Sequence, residues 1–212
     1  GVQTCALPIW LKETETGYGQ VKPILTPRYT PTCTDACMEG LQVLSEKYQV
    51  PVQSHLSEGL DEIEWVKQLK PGLSCYGEAY DMYDLLGSRQ PAVMAHVVHP
   101  NEAEYELIKH RNVLVAHCPQ SNTNAANGVA PILQMVHDGI RVGLGTDMAG
   151  GYNLNLLRTM TDAIQASKLR WCFTERNGDP FAKKNFLTVA NAFYLATKGC
   201  TRTTATLTRF VR

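Results

Sequence analysis

Val113-Leu114-Val115-Ala116-His117-Cys118 is a short, almost entirely apolar run that leads directly into a polar stretch. Apolar runs of this length, without alternation, are typical of strands buried on both faces of a parallel sheet. Residues 119–128 are rich in Asn, Ser and Thr, and we expect a loop there. The segment therefore predicts one strand of an α/β sheet, with a histidine near its carboxyl end.

Four further segments fit the same description, and helical patterns separate them along the chain. The predicted strands are residues 24–29, 50–56, 92–98, 113–118 and 141–146. The predicted helices are residues 35–48 with Thr34 as cap, 61–69, 78–86, 101–110 with Asn101 as cap, 131–138, 154–171 and 185–197. This alternation predicts a parallel sheet covered by helices on both faces.

Two architectures use this order of elements, the open doubly wound sheet and the closed (β/α)8 barrel. The open sheet usually carries a glycine-rich first turn, and neither G-x-G-x-x-G nor G-x-x-x-x-G-K occurs in this chain. A barrel instead carries its catalytic residues at the carboxyl ends of several successive strands. The distribution of reactive side chains decides between the two.

Each predicted strand ends in, or is closely followed by, a side chain that can take part in catalysis. In chain order these are Arg28, His55, His96, His117 and Asp147, and Glu58 follows His55 by three residues. Enzymatic zinc sites use imidazole and carboxylate ligands and keep one position for water, whose pKa the metal lowers. His55 and Asp147 suit such a metal, and Glu58 suits proton transfer. The pattern favours a barrel with an active site at one rim.

Taken singly, each of these residues also has an ordinary structural explanation. His55 could be a hydrogen-bonded core histidine, and Asp147 could belong to a turn ahead of Gly150-Gly151. Glu58 could merely favour a helix N-terminus, and Arg28 could be a solvated loop residue. We expect the remaining histidines, His99, His110 and His137, to be structural. Only the ordered set on successive strand ends favours an active site.

Five short motifs give this chain a resemblance to a known family. They are Thr26-Pro27-Arg28-Tyr29, Gln53-Ser54-His55-Leu56-Ser57-Glu58, Met94-Ala95-His96, Ala116-His117-Cys118-Pro119-Gln120-Ser121-Asn122 and Gly145-Thr146-Asp147-Met148-Ala149-Gly150-Gly151. Together they resemble the guanine deaminases of the amidohydrolase superfamily, over about residues 10–199. The His-x-x-Glu, His and Asp pattern alone indicates only the superfamily. The Pro-Arg-aromatic, Ser-His-x-Ser-Glu and Gly-Thr-Asp-x-Ala-Gly-Gly elements indicate guanine deaminase.

The resemblance implies a role for each motif residue. The implied zinc ligands are His55 and Asp147, the implied catalytic residues are Glu58, His96 and Asp147, and the implied substrate-binding residues are Arg28, Tyr29, His96, His117 and Asn122. Glu58 would protonate a ring nitrogen of guanine, His96 would orient the attacked carbon, and Asp147 would also accept a proton from the attacking water. Arg28 would face the purine carbonyl. The implied products are xanthine and ammonia, and the implied assembly is a homodimer.

This chain departs from the family in its metal ligands. The superfamily carries a His-x-His pair on its first barrel strand, and no such pair occurs in this sequence. Only two of the usual four protein ligands are then present. We therefore expect an incomplete (β/α)8 TIM-type barrel that supplies approximately strands 4–8 with their helices.

Both ends of the sequence look foreign to the family. Residues 1–9 read like the translation of a sequencing-adapter oligonucleotide, and residues 200–212 are a Thr- and Arg-rich string without periodicity. We expect residues 1–9 to be non-native, residues 10–199 to form the partial barrel domain, and residues 200–212 to be non-native or frameshifted.

Composition limits the function classes further. Lys and Arg total 20 and Asp and Glu total 20, so there is no basic excess of the kind that nucleic-acid binding requires. No run of about 18 apolar residues predicts a membrane span. The seven cysteines are odd in number and irregularly spaced, which indicates reduced thiols and a cytoplasmic location. A small-molecule substrate is the expected partner.

Two other functions stay open from the sequence. One is a related amidohydrolase that acts on another aminopurine, a pyrimidine or a triazine. The other is a half-barrel that serves as a non-catalytic binding or assembly module, which the missing ligands favour. The unrelated zinc deaminases with H-x-E and P-C-x-x-C motifs do not fit this chain.

Overall fold

The computed structural model describes residues 8–14 and 22–200, and its centre is a four-stranded parallel sheet. The strands are β1 (Val52–Leu56), β2 (Ala92–His96), β3 (Leu114–His117) and β4 (Arg141–Leu144), hydrogen-bonded in the order β1-β2-β3-β4. Every neighbouring pair is parallel. The α/β class and four of the five predicted strands are thus confirmed, and each observed strand is two residues shorter than predicted.

Helices join and cover these strands. They are α1 (Asp35–Tyr48), α2 (Leu60–Leu69), α3 (Glu78–Asp81), α4 (Glu102–His110), α5 (Pro119–Asn124), α6 (Ile132–His137), α7 (Leu156–Arg170) and α8 (Val189–Thr197). A 3-10 turn spans Thr30–Thr32, a π turn spans Trp171–Glu175, and residues 8–14 are helical as well. The predicted caps are confirmed, since Thr34 accepts from Cys37 N at 3.2 Å and Asn101 accepts from Glu104 N at 2.9 Å.

The predicted strand at residues 24–29 is wrong except at Leu25. Leu25 forms a single parallel bridge to Val52: its N–H donates to Pro51 O at 3.0 Å, and its carbonyl accepts from Gln53 N at 2.8 Å. The next ladder donor along the chain would be the N–H of Pro27, which proline lacks. The pairing therefore ends after one residue, and the carbonyls of Pro27 and Arg28 accept from the Ser54 side chain instead of from the ladder.

The predicted loop at residues 119–128 is wrong in its first half, which forms α5. Pro119 occupies the first helical turn, where its missing N–H costs nothing. Asn122 N donates to Cys118 O at 3.1 Å, and the Thr123 hydroxyl donates to Pro119 O at 2.8 Å. Polar side chains in α5 are buried rather than solvated, so composition alone misreads the segment.

Several predicted helices are shorter than expected. Helix α3 ends at Asp81, α6 begins at Ile132 with Pro131 outside it, and α8 begins only at Val189. At α8 the start is fixed by a capping box, in which Thr188 and Asn191 satisfy each other's backbone N–H groups. Of the segments predicted to be non-native, residues 1–9 and 200–212, the parts at 1–7 and 201–212 lie outside the described residues.

The sheet brings the carboxyl ends of all its strands to one edge. Leu56 pairs with His96, and His117 pairs with Leu144, so these strands end in register. Buried side chains such as Met94 and Val115 fill the core behind this edge. The edge is where the sequence predicts the reactive side chains, and the parallel register explains why they meet. In the described part of the chain, no helix combines the length and the apolar character that crossing a bilayer requires.

Candidate active site

A cavity of about 260 Å3 opens at the carboxyl edge of the sheet, beside β1. Its lining residues are Arg28, Tyr29, His55, Glu58, Gly59, Asp61, Glu62 and Asn127. Four of them, Arg28, Tyr29, His55 and Glu58, are residues that the sequence predicts for the site. Segments far apart in the chain therefore meet at one concave, polar surface.

The ring of His55 is held in one orientation by the backbone of Arg28. His55 Nδ1 lies 2.5 Å from Arg28 O. A carbonyl oxygen can only accept a hydrogen bond, so Nδ1 carries a proton, and in the neutral ring the lone pair is on Nε2. Histidines that bind metals commonly show this arrangement, with one ring nitrogen donating to a carbonyl and the other facing the metal. The geometry of His55 therefore fits a metal ligand.

His96 stands directly behind His55. The two rings stack with their centroids 5.3 Å apart and an angle of 14° between their planes. His96 is buried, its Nδ1 donates to Asn122 Oδ1 at 2.8 Å, and its Nε2 lies 3.5 Å from Glu58 Oε2. The backbone of His96 is left-handed, with φ at +75°. Such conformations cost about 1–3 kcal/mol and often mark functional sites.

The carboxylate of Glu58 links the cavity to His96. Its Oε1 accepts from Asn127 Nδ2 at 2.9 Å, and its Oε2 faces His96 Nε2. The Glu58 side chain is about one-quarter exposed, with 25% of its surface accessible. A carboxylate that borders a cavity and also contacts an imidazole can pass a proton to a bound molecule.

Arg28 and Tyr29 form the outer wall of the cavity. The Arg28 guanidinium lies over the Tyr29 ring, 5.6 Å from its centroid, and Trp65 packs edge-on against Tyr29 at 6.4 Å. Stacking on the ring orients the guanidinium, whose N–H groups can only donate hydrogen bonds. This wall therefore offers donors and an aromatic surface to a planar ligand.

His117 and Asn122 lie behind the cavity rather than among its lining residues. Burial, together with a smaller contribution from His96, lowers the pKa of His117 to about 3, so the ring is neutral at physiological pH. His117 Nδ1 has no hydrogen-bond partner in the described residues. Asn122 orients His96. Direct contact of either residue with a substrate stays a prediction.

Asp147 lies in the turn that follows β4, at the same edge of the sheet. Its φ is +46°, and its carbonyl accepts from Gly151 N at 2.5 Å. A Cβ at Gly150 would lie 2.6 Å from Asp147 Oδ2, so a larger residue there would displace the Asp147 carboxylate. Burial raises the pKa of Cys118 to about 12, and the charges of Asp147 and Glu58 contribute to the shift.

The structure does not assemble a complete metal centre from the described residues. No group of three or more His, Cys, Asp or Glu side chains among them is arranged to hold a metal ion. Asp147 is also outside the set that lines the cavity. His55 and Asp147 are therefore candidate ligands of a site that these ranges do not complete.

Four of the lining residues, Gly59, Asp61, Glu62 and Asn127, are not among the residues that the sequence predicts for the site. Asp61 and Glu62 follow Glu58 closely on α2, so helical spacing could have indicated them. Glu62 Oε1 accepts from the Tyr76 hydroxyl at 2.7 Å, and burial raises the pKa of Glu62. Asn127 lies 69 residues from Glu58 in the chain, and no local pattern connects the two.

Comparison with known proteins agrees with this geometry. The profile of the amidohydrolase family matches residues 8–199. The guanine deaminase of Dictyostelium discoideum is 41% identical over 179 residues, which are 84% of this chain and 38% of that protein. The chain thus spans well under half the length of this curated relative.

Solved structures show the same relationship. The guanine deaminase from C. acetobutylicum, with guanine bound in its active site, superposes with a TM-score of 0.86 at 40% identity, over 93% of this chain and 46% of that one. A variant of atrazine chlorohydrolase from Arthrobacter aurescens TC1, complexed with zinc and atraton, gives a TM-score of 0.76 at 23% identity, over 92% and 41%. The second likeness shows the fold alone. The profile match over residues 8–199 shows that this chain belongs to the amidohydrolase family.

Proposed function

We propose that the protein of which this chain is part hydrolyses guanine to xanthine and ammonia. The observation that carries the proposal is the cavity in which Arg28, His55 and Glu58 meet, with His96 stacked behind them. The relative that is 41% identical and the structure that is 40% identical are both guanine deaminases, and the latter holds guanine. These likenesses support guanine over other heterocycles.

The side chains supply recognition and proton transfer in this proposal. The guanidinium of Arg28 donates hydrogen bonds and so matches a purine carbonyl, while Tyr29 offers its ring to the base. Glu58 protonates a ring nitrogen and is reprotonated from the attacking water, while Asp147 carries the other proton of that water to the departing amine; the place of Glu58 between the cavity and His96 allows its part. When its Nε2 is protonated, His96 can donate a hydrogen bond to the oxygen that attacks the carbon.

We propose zinc as the cofactor, held by His55 and Asp147 together with ligands outside this chain. The free Nε2 of His55 supports this, as do structures of the same fold that contain zinc. When bound, zinc would supply Lewis acidity and lower the pKa of a coordinated water. The His-x-His pair that completes such sites in the family does not occur in this sequence.

We further propose that the Leu25 bridge and β1–β4 correspond to strands 4–8 of a (β/α)8 barrel. Five consecutive parallel positions and the match to about two-fifths of a longer relative support this assignment. In this proposal residues 10–199 are the native part of the barrel, and residues 1–9 and 200–212 are non-native. The complete protein is proposed to be a cytoplasmic homodimer, and free thiols at Cys33, Cys37, Cys75, Cys118 and Cys172 support a reducing compartment.

The test is to assay the full-length protein, loaded with zinc, on guanine, adenine and an amino-triazine. We expect xanthine and ammonia in equal amounts from guanine and much slower release of ammonia from the other two. Faster turnover of adenine or the triazine would favour the related-amidohydrolase alternative. No turnover by a zinc-loaded, folded protein would favour the non-catalytic module.

A further inference from the structure

Ser57 holds the backbone between His55 and Glu58 in an unfavourable conformation. Its φ is +46°, in the left-handed region that residues with a Cβ rarely adopt. This turn aims the Glu58 side chain back toward the cavity and His96, instead of onward along β1. Interactions with the surrounding structure must stabilise this conformation of Ser57, because the backbone would otherwise relax to an extended or right-handed conformation.

Backbone hydrogen bonds from the segment that follows β2 hold one side of this turn. The Ser57 carbonyl accepts from both Val98 N at 3.0 Å and His99 N at 3.1 Å. Val97 and His96, at the end of β2, are also left-handed, with φ of +47° and +75°. The turns after β1 and β2 therefore interlock, and a shift in one moves the other.

A buried carboxyl group holds the other side. Ser57 Oγ donates to Glu104 Oε2 at 2.6 Å, and Gly77 N donates to Glu104 Oε1 at 2.8 Å. Glu104 lies on α4 with only 1% of its surface exposed, and it does not line the cavity. Acidic side chains are rarely buried so completely unless they are paired or hydrogen-bonded, because desolvation disfavours the charged form. Both of its oxygens are used to fix main-chain turns that support the site.

We propose that Glu104 is a positioning residue for Glu58, acting through the Ser57 hydroxyl. Glu104 touches neither the cavity nor Glu58 in the described contacts. It sets the conformation of the residue before Glu58 and so keeps that carboxylate within reach of His96 and of a bound substrate. The catalytic consequence rests on the proposed function, whereas the support of the turn does not.

The chemistry of the Ser57–Glu104 hydrogen bond predicts which substitutions keep the Ser57 turn in its conformation. In Glu104→Gln, the amide oxygen can still accept from Gly77 N, and the amide N–H can donate to Ser57 Oγ. Glu104→Ala and Ser57→Ala both remove the side-chain link, and Ser57→Ala leaves the Gly77 bond intact. Ser45→Ala is a matched control, since it removes another buried serine hydroxyl bond, to Val50 O at 2.8 Å, far from the cavity.

The experiment measures kinetics and hydrogen exchange on the zinc-loaded, full-length protein. In Ser57→Ala and Glu104→Ala we expect kcat on guanine to fall about 10- to 100-fold, as for a misplaced catalytic group, with KM nearly unchanged. Amide exchange in peptides covering residues 97–101 should become faster in the same two variants. Glu104→Gln should stay close to wild type in both measurements, and so should Ser45→Ala.

The two readouts separate this proposal from the proposed function. If the wild type does not deaminate guanine, the proposed function fails, and exchange at residues 97–101 still tests the link. Unchanged exchange in Ser57→Ala overturns the proposal. So does an unchanged kcat in Ser57→Ala when the wild type is active, or a kcat in Glu104→Gln as low as in Glu104→Ala. If Glu104→Ala does not fold, Ser57→Ala and Glu104→Gln still decide the outcome.

Discussion

Each reactive side chain in this site has one hydrogen-bonding atom that anchors it to the protein and fixes its orientation. His55 uses Nδ1 on Arg28 O, His96 uses Nδ1 on Asn122, and Glu58 uses Oε1 on Asn127. Each residue is left with one atom directed at the cavity or at a neighbour in the site. Anchoring at one end is what makes the free end useful for chemistry, because it lowers the freedom lost on binding.

Glu58→Gln should abolish most turnover while the protein still binds zinc and guanine. The amide can accept no proton, and a general acid–base group typically contributes about 10²- to 10⁴-fold to the rate. Asn127 Nδ2 can still donate to the amide oxygen of Gln, so the side chain keeps its position. Steady-state kinetics and calorimetric titration of guanine into the zinc-loaded variant would check this. Near-normal xanthine formation would contradict the role of Glu58.

Arg28→Ala should reduce activity on guanine more than on adenine. The guanidinium can only donate, so it matches the carbonyl of guanine and not the amino group of adenine. Comparing kcat/KM for both bases in the variant and in the wild type measures the difference. Arg89→Ala, which removes an exposed arginine beside Glu46 and Asp84, is the control. Equal losses on both bases would make Arg28 a structural residue.

The pH dependence of stability should carry the signature of Glu104. The pKa of Glu104 is raised from its usual 4.5 to about 7. Burial is the main cause and the charge of Glu62 contributes, while the hydrogen bonds from Ser57 and Gly77 act in the opposite direction. Because the folded-state pKa is the higher one, the contribution to stability is complete below pH 4.5 and is lost as the pH rises through 7.

Glu104→Gln should remove this dependence, because the amide does not titrate. As the pH rises from 5 to about 8, the melting temperature of Glu104→Gln should therefore rise relative to that of the wild type, because only the wild type loses this contribution. Thermal melts of the full-length protein at several pH values would show it. Glu106→Gln, an exposed position on the same helix, should follow the wild type at every pH. Parallel curves for Glu104→Gln and the wild type would refute the assignment.

The helices and strands are bounded by a few local interactions whose effect can be measured. Pro27 ends the pairing of Leu25 with β1, Pro119 starts α5, and the capping box starts α8. Each of these boundaries depends on a backbone N–H: either the residue has none to donate, or the N–H finds a hydrogen-bond partner at the helix end. The predicted strand at residues 24–29 does not form because Pro27 lacks the next ladder donor. Residues 119–124 are helical because their polar side chains are buried and form hydrogen bonds within the protein.

Thr34→Ala should destabilise α1 by about 1 kcal/mol, the usual cost of losing a hydroxyl N-cap. Thr34 accepts from Cys37 N at 3.2 Å, and its own side chain is otherwise exposed, so little packing is lost. Denaturant unfolding of the full-length protein would measure the change. Thr34→Ser should restore most of the stability, since serine caps as well as threonine. An equal loss in Thr34→Ser would point to packing instead of capping.

At the level of the complete molecule, the sheet has two ends. At one end Leu25 pairs beside β1 at a single residue, and at the other end β4 pairs with β3 alone among the described strands, with α8 packed against it. In the proposed barrel, both ends would meet further strands, because closure removes exposed sheet edges. The candidate metal ligands would likewise be completed from the rest of the barrel.

Residues 10–199 expressed alone should therefore aggregate and form no xanthine, even with added zinc. Open edges favour pairing between chains, and two ligands hold zinc far less well than the three or more of catalytic sites. Size-exclusion chromatography, thermal melting and a guanine assay would test this. A soluble monomer with a cooperative melt and measurable turnover would overturn the proposed assignment to strands 4–8.

Zinc in the full-length protein should depend on both candidate ligands. His55→Ala combined with Asp147→Ala should remove most bound zinc, measured by elemental analysis after dialysis. His99→Ala, whose ring donates to Asn127 O at 2.5 Å behind the site, should retain the metal. Undiminished zinc in the double variant would exclude His55 and Asp147 as ligands.

The sequence by itself determined the strands β1–β4, the helix caps and the set of reactive residues at strand ends. These features are local, because an apolar run followed by a polar side chain reports both a buried strand and its exposed end. Only the tertiary structure decided which ring nitrogen of His55 is free, that Asn127 holds Glu58, and that Glu104 supports Ser57. These contacts join residues 27 to 69 positions apart, and hydrogen bonds over such separations leave no periodic trace in the sequence.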